Sequence, residues 1–222
     1  MADTAPRAKE GNPPTTAGDP HLLAQRILSQ LTDEARHILG VVGLPGTGKS
    51  TMAAHVAAAL SAHTSVVVVP MDGFHLGQAI IRGTELEHRK GAADTFDSAG
   101  FALLMRRLRT CTEPVVYAPL YDRAIEEPIA ASIAIPRTTQ VVIIEGNYLL
   151  SAGRDWSRAR RAINEIWYVD TPQQLRVDRL IQRHVAFGKS VEQATAWVRT
   201  SDEVNARIIA KTRHRAHLII TT

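Results

Sequence analysis

A lysine and a hydroxyl stand side by side in GLPGTGKS (43–50), and the glycines around them point to one kind of chemistry. Gly43, Gly48, Lys49 and Ser50 satisfy the pattern G-x-x-x-x-G-K-[ST] in full. The glycines let successive backbone N–H groups curl around phosphate oxygens, and the N-terminus of a following helix adds its positive end. Lys49 can then reach the outer phosphates of a triphosphate, and the Ser50 hydroxyl can ligate Mg²⁺. The expected triphosphate set is Gly43, Leu44, Pro45, Gly46, Thr47, Gly48, Lys49, Ser50 and Thr51. A glycine-rich turn capping a helix is the plainer reading. The apolar HILGVVG before the motif and the alanine-rich helix after it supply the context that phosphate binding needs.

Three acids follow apolar runs elsewhere in the chain. Asp72 follows VVVVPM, Glu145 follows VVII, and Asp170 ends EIWYVD. A carboxylate near a triphosphate can take a proton from an attacking alcohol or approach a metal ion. Asp72 also begins an Asp-Gly pair, which is common in turns, so a turn acid and a catalytic base are both open for it. VDTPQQ reads as a helix start with Asp170 or Thr171 as the cap.

These groups need a scaffold. Helical periodicity is expected over 21–31, 49–63, 98–110, 173–198 with a break at FGKS (187–190), and 201–211. Apolar strands are expected at 37–43, 66–70, 140–150, 165–172 and 216–222, with a small β excursion at 114–136. The four valines at 66–69 suit a strand buried on both faces. Strands alternating with helices predict an α/β domain built on a parallel sheet, and ligands gather at the carboxyl edge of such sheets. Residues 1–20, with four prolines and little apolar content, read as a disordered and dispensable tail, followed by one domain over 21–222.

Composition narrows the functional class. The chain has 222 residues, of which 45% are hydrophobic and 22% charged, as in an ordinary soluble globular protein. No apolar run approaches the roughly 20 residues of a membrane span, and the N-terminus carries no secretory core; a cytoplasmic protein is expected. The net charge of +4 fits an anionic ligand. The arginines are scattered rather than gathered into an aromatic-interleaved patch, which argues against nucleic acid. Cys111 is the single cysteine, so no internal disulfide forms, and it reads as a buried small hydrophobe. HRAH (214–217) has no further ligands to make a zinc site. No asparagine begins an N-K-x-D guanine-reading motif, which argues against a GTP switch.

Read in order, GLPGTGKS, MDGFH (71–75), RKGAADTFD (89–97), YAPLYDR (117–123), EGNYLL (145–150) and RLIQRH (179–184) resemble the P-loop kinases that include uridine kinase, phosphoribulokinase and type I pantothenate kinase. The stretch from Asp72 to Asp97 is similar to the pantothenate kinase version. EGNYLL and SDEVNA (201–206) look more like a bacterial subgroup labelled as candidate fructose-transport kinases. The resemblance implies a three-layer P-loop domain with about five strands in the order 2-3-1-4-5, and a lid over about 179–199. It implies ATP and Mg²⁺, a small-molecule hydroxyl acceptor, and an oligomeric state left open, a homodimer included. Asp72 matches the general base, Glu145 a residue near the metal with Ser50, and Arg179 and Arg183 the lid arginines that clamp the triphosphate. Lys49 and Arg183 join Asp72 as the expected catalytic set. Phe74, His75, Arg89, Lys90, Asp97, Tyr121 and Arg123 are the expected acceptor-binding residues. A sugar or related polyol is the expected acceptor, with pantothenate or a nucleoside as alternatives and a nucleotide-binding regulatory protein as the reading from another class.

Overall fold

The computed structural model describes residues 12–32 and 35–222. Its first half runs β1 (Thr15–Ala17), α1 (Pro20–Leu28), β2 (His37–Gly43), α2 (Lys49–Ser61), β3 (Val66–Pro70), α3 (Gln78–Ile81) and α4 (Ser98–Thr110). There follow β4 (Val115–Asp122), β5 (Glu127–Pro136), β6 (Val141–Glu145), α5 (Arg154–Arg161), β7 (Glu165–Asp170), α6 (Gln173–Ala186), α7 (Val191–Trp197), α8 (Glu203–Ala210) and β8 (Leu218–Thr221). Among the described residues no helix is long and apolar enough to cross a membrane.

The central strands are apolar throughout because both faces of the sheet are covered. Ile38, Val42, Val142, Ile144, Ile166 and Tyr168 face one way, packing with Phe101, Leu104 and Met105 of α4 and Trp156 of α5. Leu39, Val41, Val141, Ile143, Trp167 and Val169 face the other, packing with Leu23 and Ile27 of α1 and Met52, Val56 and Leu60 of α2. Period-two alternation thus fills both helix layers from one set of strands.

The sheet order is β1-β8-β7-β2-β6-β3, and every neighbouring pair is parallel. Its last five strands follow the expected order, and β1 adds a sixth at the far edge. This corrects the tail expectation for residues 12–20. Thr15–Ala17 pair with Ile219–Thr221, and the Asp19 side chain caps α1 by accepting from His21 N at 2.8 Å. Backbone pairing and a cap order this stretch without a large apolar side chain. The rest of the expected tail lies outside the described residues.

The valine strand β3 is also corrected. It is the opposite edge of the sheet, so of its four valines only Val69 is fully buried. The strand expected over 140–150 stops at Glu145, where the chain turns: a Cβ on Gly146 would lie 2.5 Å from Met71 Cβ. The excursion forms an antiparallel pair, β4 with β5. Cys111 ends α4 in the left-handed region and is only part-buried, not the core hydrophobe expected.

Candidate active site

The loop between β2 and α2 lies at the carboxyl edge of the sheet, with strand neighbours on both sides. Gly46 and Gly48 hold φ of 82° and 81°, a region that favours glycine. Gly46 is required twice over, because a Cβ there would lie 2.5 Å from the Arg176 carbonyl oxygen. The loop is braced by its surroundings. Thr171 Oγ1 donates to the Thr47 carbonyl at 3.0 Å, and Arg176 donates to the Pro45 carbonyl at 3.2 Å while pairing with Glu203. Thr171 and Asp170 are therefore not helix caps, which corrects that expectation: Pro172 precedes α6 without a side-chain cap, and Asp170 pairs with Arg213 at 2.9 Å.

Lys49 and Ser50 open α2. The Ser50 hydroxyl donates to Glu145 Oε1 at 3.0 Å. Glu145 is 5% exposed, and burial pushes its carboxyl above the ordinary range, against the pull of Lys49. Asp72 lies in a 3₁₀ turn, Met71–Phe74, directly after β3. The glycine after it serves a close approach rather than a turn angle: a Cβ on Gly73 would overlap the Pro119 carbonyl of β4. That crossing brings Arg123 to Asp72, with its guanidinium donating to Asp72 Oδ2 at 3.3 Å.

His75 has its Nδ1 2.8 Å from the Asp72 carbonyl, and its ring lies against Phe96 (3.9 Å) and Tyr121 (4.9 Å) between centroids. Burial holds the imidazole below its usual range, so it is neutral at physiological pH. With a carbonyl as its partner, Nδ1 carries the proton and Nε2 is left as an acceptor. Lys90 sits 5.5 Å from the Tyr121 ring centroid and donates to the Glu126 carbonyl at 3.0 Å.

Two cavities meet over these residues. The larger, about 780 Å³, holds the loop residues Gly46–Thr51 and Arg179. The smaller, about 380 Å³, holds Pro45, Asp72, His75, Lys90 and Tyr121. Lys49, Ser50, Arg123, Arg183 and Phe187 line both, so the junction is where a terminal phosphate and an acceptor could touch. Arg183 is half-buried there, and its guanidinium is lowered by that burial, with Asp202 opposing the shift.

Not every expected residue arrives. Phe74 packs edge-on against Phe101 at 5.3 Å, as part of the core wall. Arg89 pairs with Asp94 on the surface at 2.8 Å. Asp97 caps α4, accepting from Gly100 N at 2.8 Å. None of the three lines the smaller cavity. Gly43 lies beneath the loop, where a Cβ would meet Thr47 Oγ1 at 2.5 Å, and Leu44 faces away from both cavities.

Other residues line that cavity. Asn147 lines the smaller cavity with its Oδ1 buried and without a hydrogen-bond partner. The same cavity is lined by His184, paired with Asp202 at 2.8 Å, and by Trp197, with Lys189 5.1 Å from its ring centroid. Asn147 and Asp202 belong to EGNYLL and SDEVNA, so the motif strings held the signal; nothing in their local spacing says that the two segments face each other.

The residues fit a nucleoside triphosphate, because the curled loop presents N–H groups that a Cβ at Gly46 would displace. They also fit Mg²⁺ at Ser50 and Glu145. Among the described residues no group of three or more His, Cys, Asp or Glu could hold a metal ion unaided, so phosphate oxygens would complete its shell.

Residues 38–222 match the family model described as the phosphoribulokinase/uridine kinase family. The crystal structure of a candidate fructose transport system kinase from Silicibacter sp. TM1040 superposes with a TM-score of 0.83 at 36% identity, covering 90% of this chain and 98% of that one. A candidate uridine kinase of Schizosaccharomyces pombe, C227.14, is 31% identical over 198 residues, 85% of this chain and 84% of that protein. The ATP-dependent kinase-like protein notR' of Aspergillus versicolor is 37% identical over 152 residues, 64% of this chain and 88% of its own length.

Proposed function

We propose, for a chain that belongs to the phosphoribulokinase/uridine kinase family and so is a kinase with a hydroxyl acceptor, that the acceptor is a small neutral polyol, a sugar or close relative. One observation carries this reading: of the cations lining the smaller cavity, Arg123 and Lys90 are matched by acids, Lys49 and Arg183 are shared with the larger cavity, and Lys189 lies over the Trp197 ring. Arg123 faces Asp72, and Lys90 faces Glu126. An acid such as pantothenate needs a cation of its own in the pocket, whereas hydroxyls are served by paired donors and acceptors. At about 380 Å³ the cavity is also small. The similarity to a candidate fructose transport system kinase supports the same class.

In this reading ATP is the phosphate donor and fills the larger cavity. The acceptor oxygen forms a bond to the γ-phosphorus as the bond to the β-bridging oxygen breaks, and ADP leaves. The hydroxyl proton passes to Asp72, whose carboxylate lies at the mouth of the acceptor cavity. Arg123 orients Asp72, and Lys49 and Arg183 bear on the transferred charge at the junction. Ser50 and Glu145 would hold Mg²⁺, which supplies neutralisation of the phosphate oxygens when bound. Residues 179–199 form the lid: Gly188, at φ 95°, links α6 to α7, and their inner faces cover the acceptor. The cytoplasm, which supplies ATP and Mg²⁺, is the expected compartment.

The ring wall of His75, Phe96 and Tyr121 favours a second reading, a nucleoside acceptor stacked on it. ADP release separates the two. Neutral sugars and polyols should stimulate release above the ATP-only rate, and Lys49→Ala should abolish the stimulation. Stimulation by uridine or pantothenate alone would replace the polyol. No phosphorylated product from any of them would return the chain to a nucleotide-binding regulator.

A further inference from the structure

The larger cavity has a direction. Its end beside Lys49, Arg123 and Arg183 is shared with the acceptor cavity, so the terminal phosphate belongs there. The nucleoside must then lie at the other end. That end is lined by Gly18, Met52, His55, Thr221 and Thr222. Gly18 stands out because it precedes the family-matched span, residues 38–222.

Parallel pairing brings it there. β1 runs in the same sense as the loop-bearing strand, so the residue after β1 emerges on the ligand edge of the sheet. Three hydrogen bonds fix the segment: Ile219 N donates to the Pro14 carbonyl at 2.8 Å, Gly18 N to the Thr221 carbonyl at 3.1 Å, and Thr221 Oγ1 to the Thr16 carbonyl at 3.2 Å. A Cβ on Gly18 would lie 2.8 Å from Met52 Cε and 3.3 Å from the Thr221 carbonyl oxygen, so a larger residue would displace the Met52 side chain and press on the end of β8.

We propose that Gly18, held in place by β1, forms the base-side wall of the nucleotide site, which binds the nucleoside of ATP or ADP but not its phosphates. The wall supplies backbone surface against a flat ring, while the loop amides hold the phosphates alone. The proposal rests on the triphosphate site and is independent of the acceptor's identity.

Two full-length variants and two probes test it. Thr16→Pro removes an amide hydrogen from β1, and Gly18→Val displaces the Met52 side chain and presses on the end of β8. Calorimetry would measure ADP, which carries a base, and inorganic tripolyphosphate, which does not. Both variants should weaken ADP by about tenfold, the scale of one lost apolar wall, and leave tripolyphosphate unchanged. Unchanged ADP affinity in either variant overturns the assignment. Equal weakening of ADP and tripolyphosphate also overturns it, because the segment would then support the phosphate loop rather than the base.

Discussion

The Ser50 hydroxyl donates to Glu145 Oε1 at 3.0 Å, joining the first turn of α2 to the end of β6. The contact follows from sheet register, since Glu145 pairs with Val41 of β2, two residues before the phosphate loop begins. It sets the pair proposed to hold Mg²⁺ in place at the cost of a buried carboxylate.

That cost has a pH signature. Burial raises the Glu145 carboxyl; the charge of Asp72 pushes the same way, and Lys49 and the Ser50 hydrogen bond push back. A raised folded-state value contributes stability that is full below the unfolded carboxylate range and is lost as pH rises through the folded value. Glu145→Gln should therefore melt higher than the wild type at about pH 8, with the gap closing toward about pH 4. Phosphate transfer should fall in the same variant. A lower melting temperature at the higher pH would show that the ionised carboxylate is a net stabiliser.

Asp72→Asn keeps the size of the side chain and removes its proton-accepting charge. Turnover should drop by about 10²–10⁴-fold, with ATP affinity in Mg²⁺ largely retained, because the loop and Lys49 are untouched. Coupled ADP assay and calorimetry separate these effects. Wild-type turnover would return Asp72 to a structural acid held by Arg123.

Arg183 lines both cavities and is lowered by burial, as expected of a guanidinium removed from bulk water. Arg183→Ala should reduce kcat by about 10²-fold while ADP affinity changes little. A matched loss of ADP affinity would make it a ground-state nucleotide ligand instead.

Gly46→Ala tests the loop backbone. The positive φ and the close Arg176 carbonyl both oppose a Cβ. Destabilisation of about 1–3 kcal/mol and loss of nucleotide binding are expected, read by thermal melting and calorimetry. A fully active, equally stable variant would mean that the loop has room to move away from α6.

Much of this protein was legible along the chain because it depends on neighbours in sequence. The loop glycines, Lys49 and Ser50 act through backbone curl over eight residues, and the apolar runs of β2, β6 and β7 announce a sheet covered on both faces. The same holds for the excursion of β4 and β5 and for the break at 187–190. The family motifs added the order of the five strands.

What lay beyond reach depends on contacts between distant segments. Asp72 meets Arg123 only because β4 crosses the turn at Gly73, and no local spacing encodes that crossing. Phe74, Arg89 and Asp97 sit inside the motifs yet turn to the core, to Asp94 and to a helix cap, because each had a nearer partner. Asn147 and Asp202 reach the acceptor cavity from segments 55 residues apart. β1 reads as a polar tail because its order comes from hydrogen bonds to β8 and not from apolar side chains. The chain alone determined which groups can do chemistry and the elements that carry them. Tertiary packing decided which of those groups face one another, since pair distances arise from sheet order and layer packing rather than from separation along the sequence.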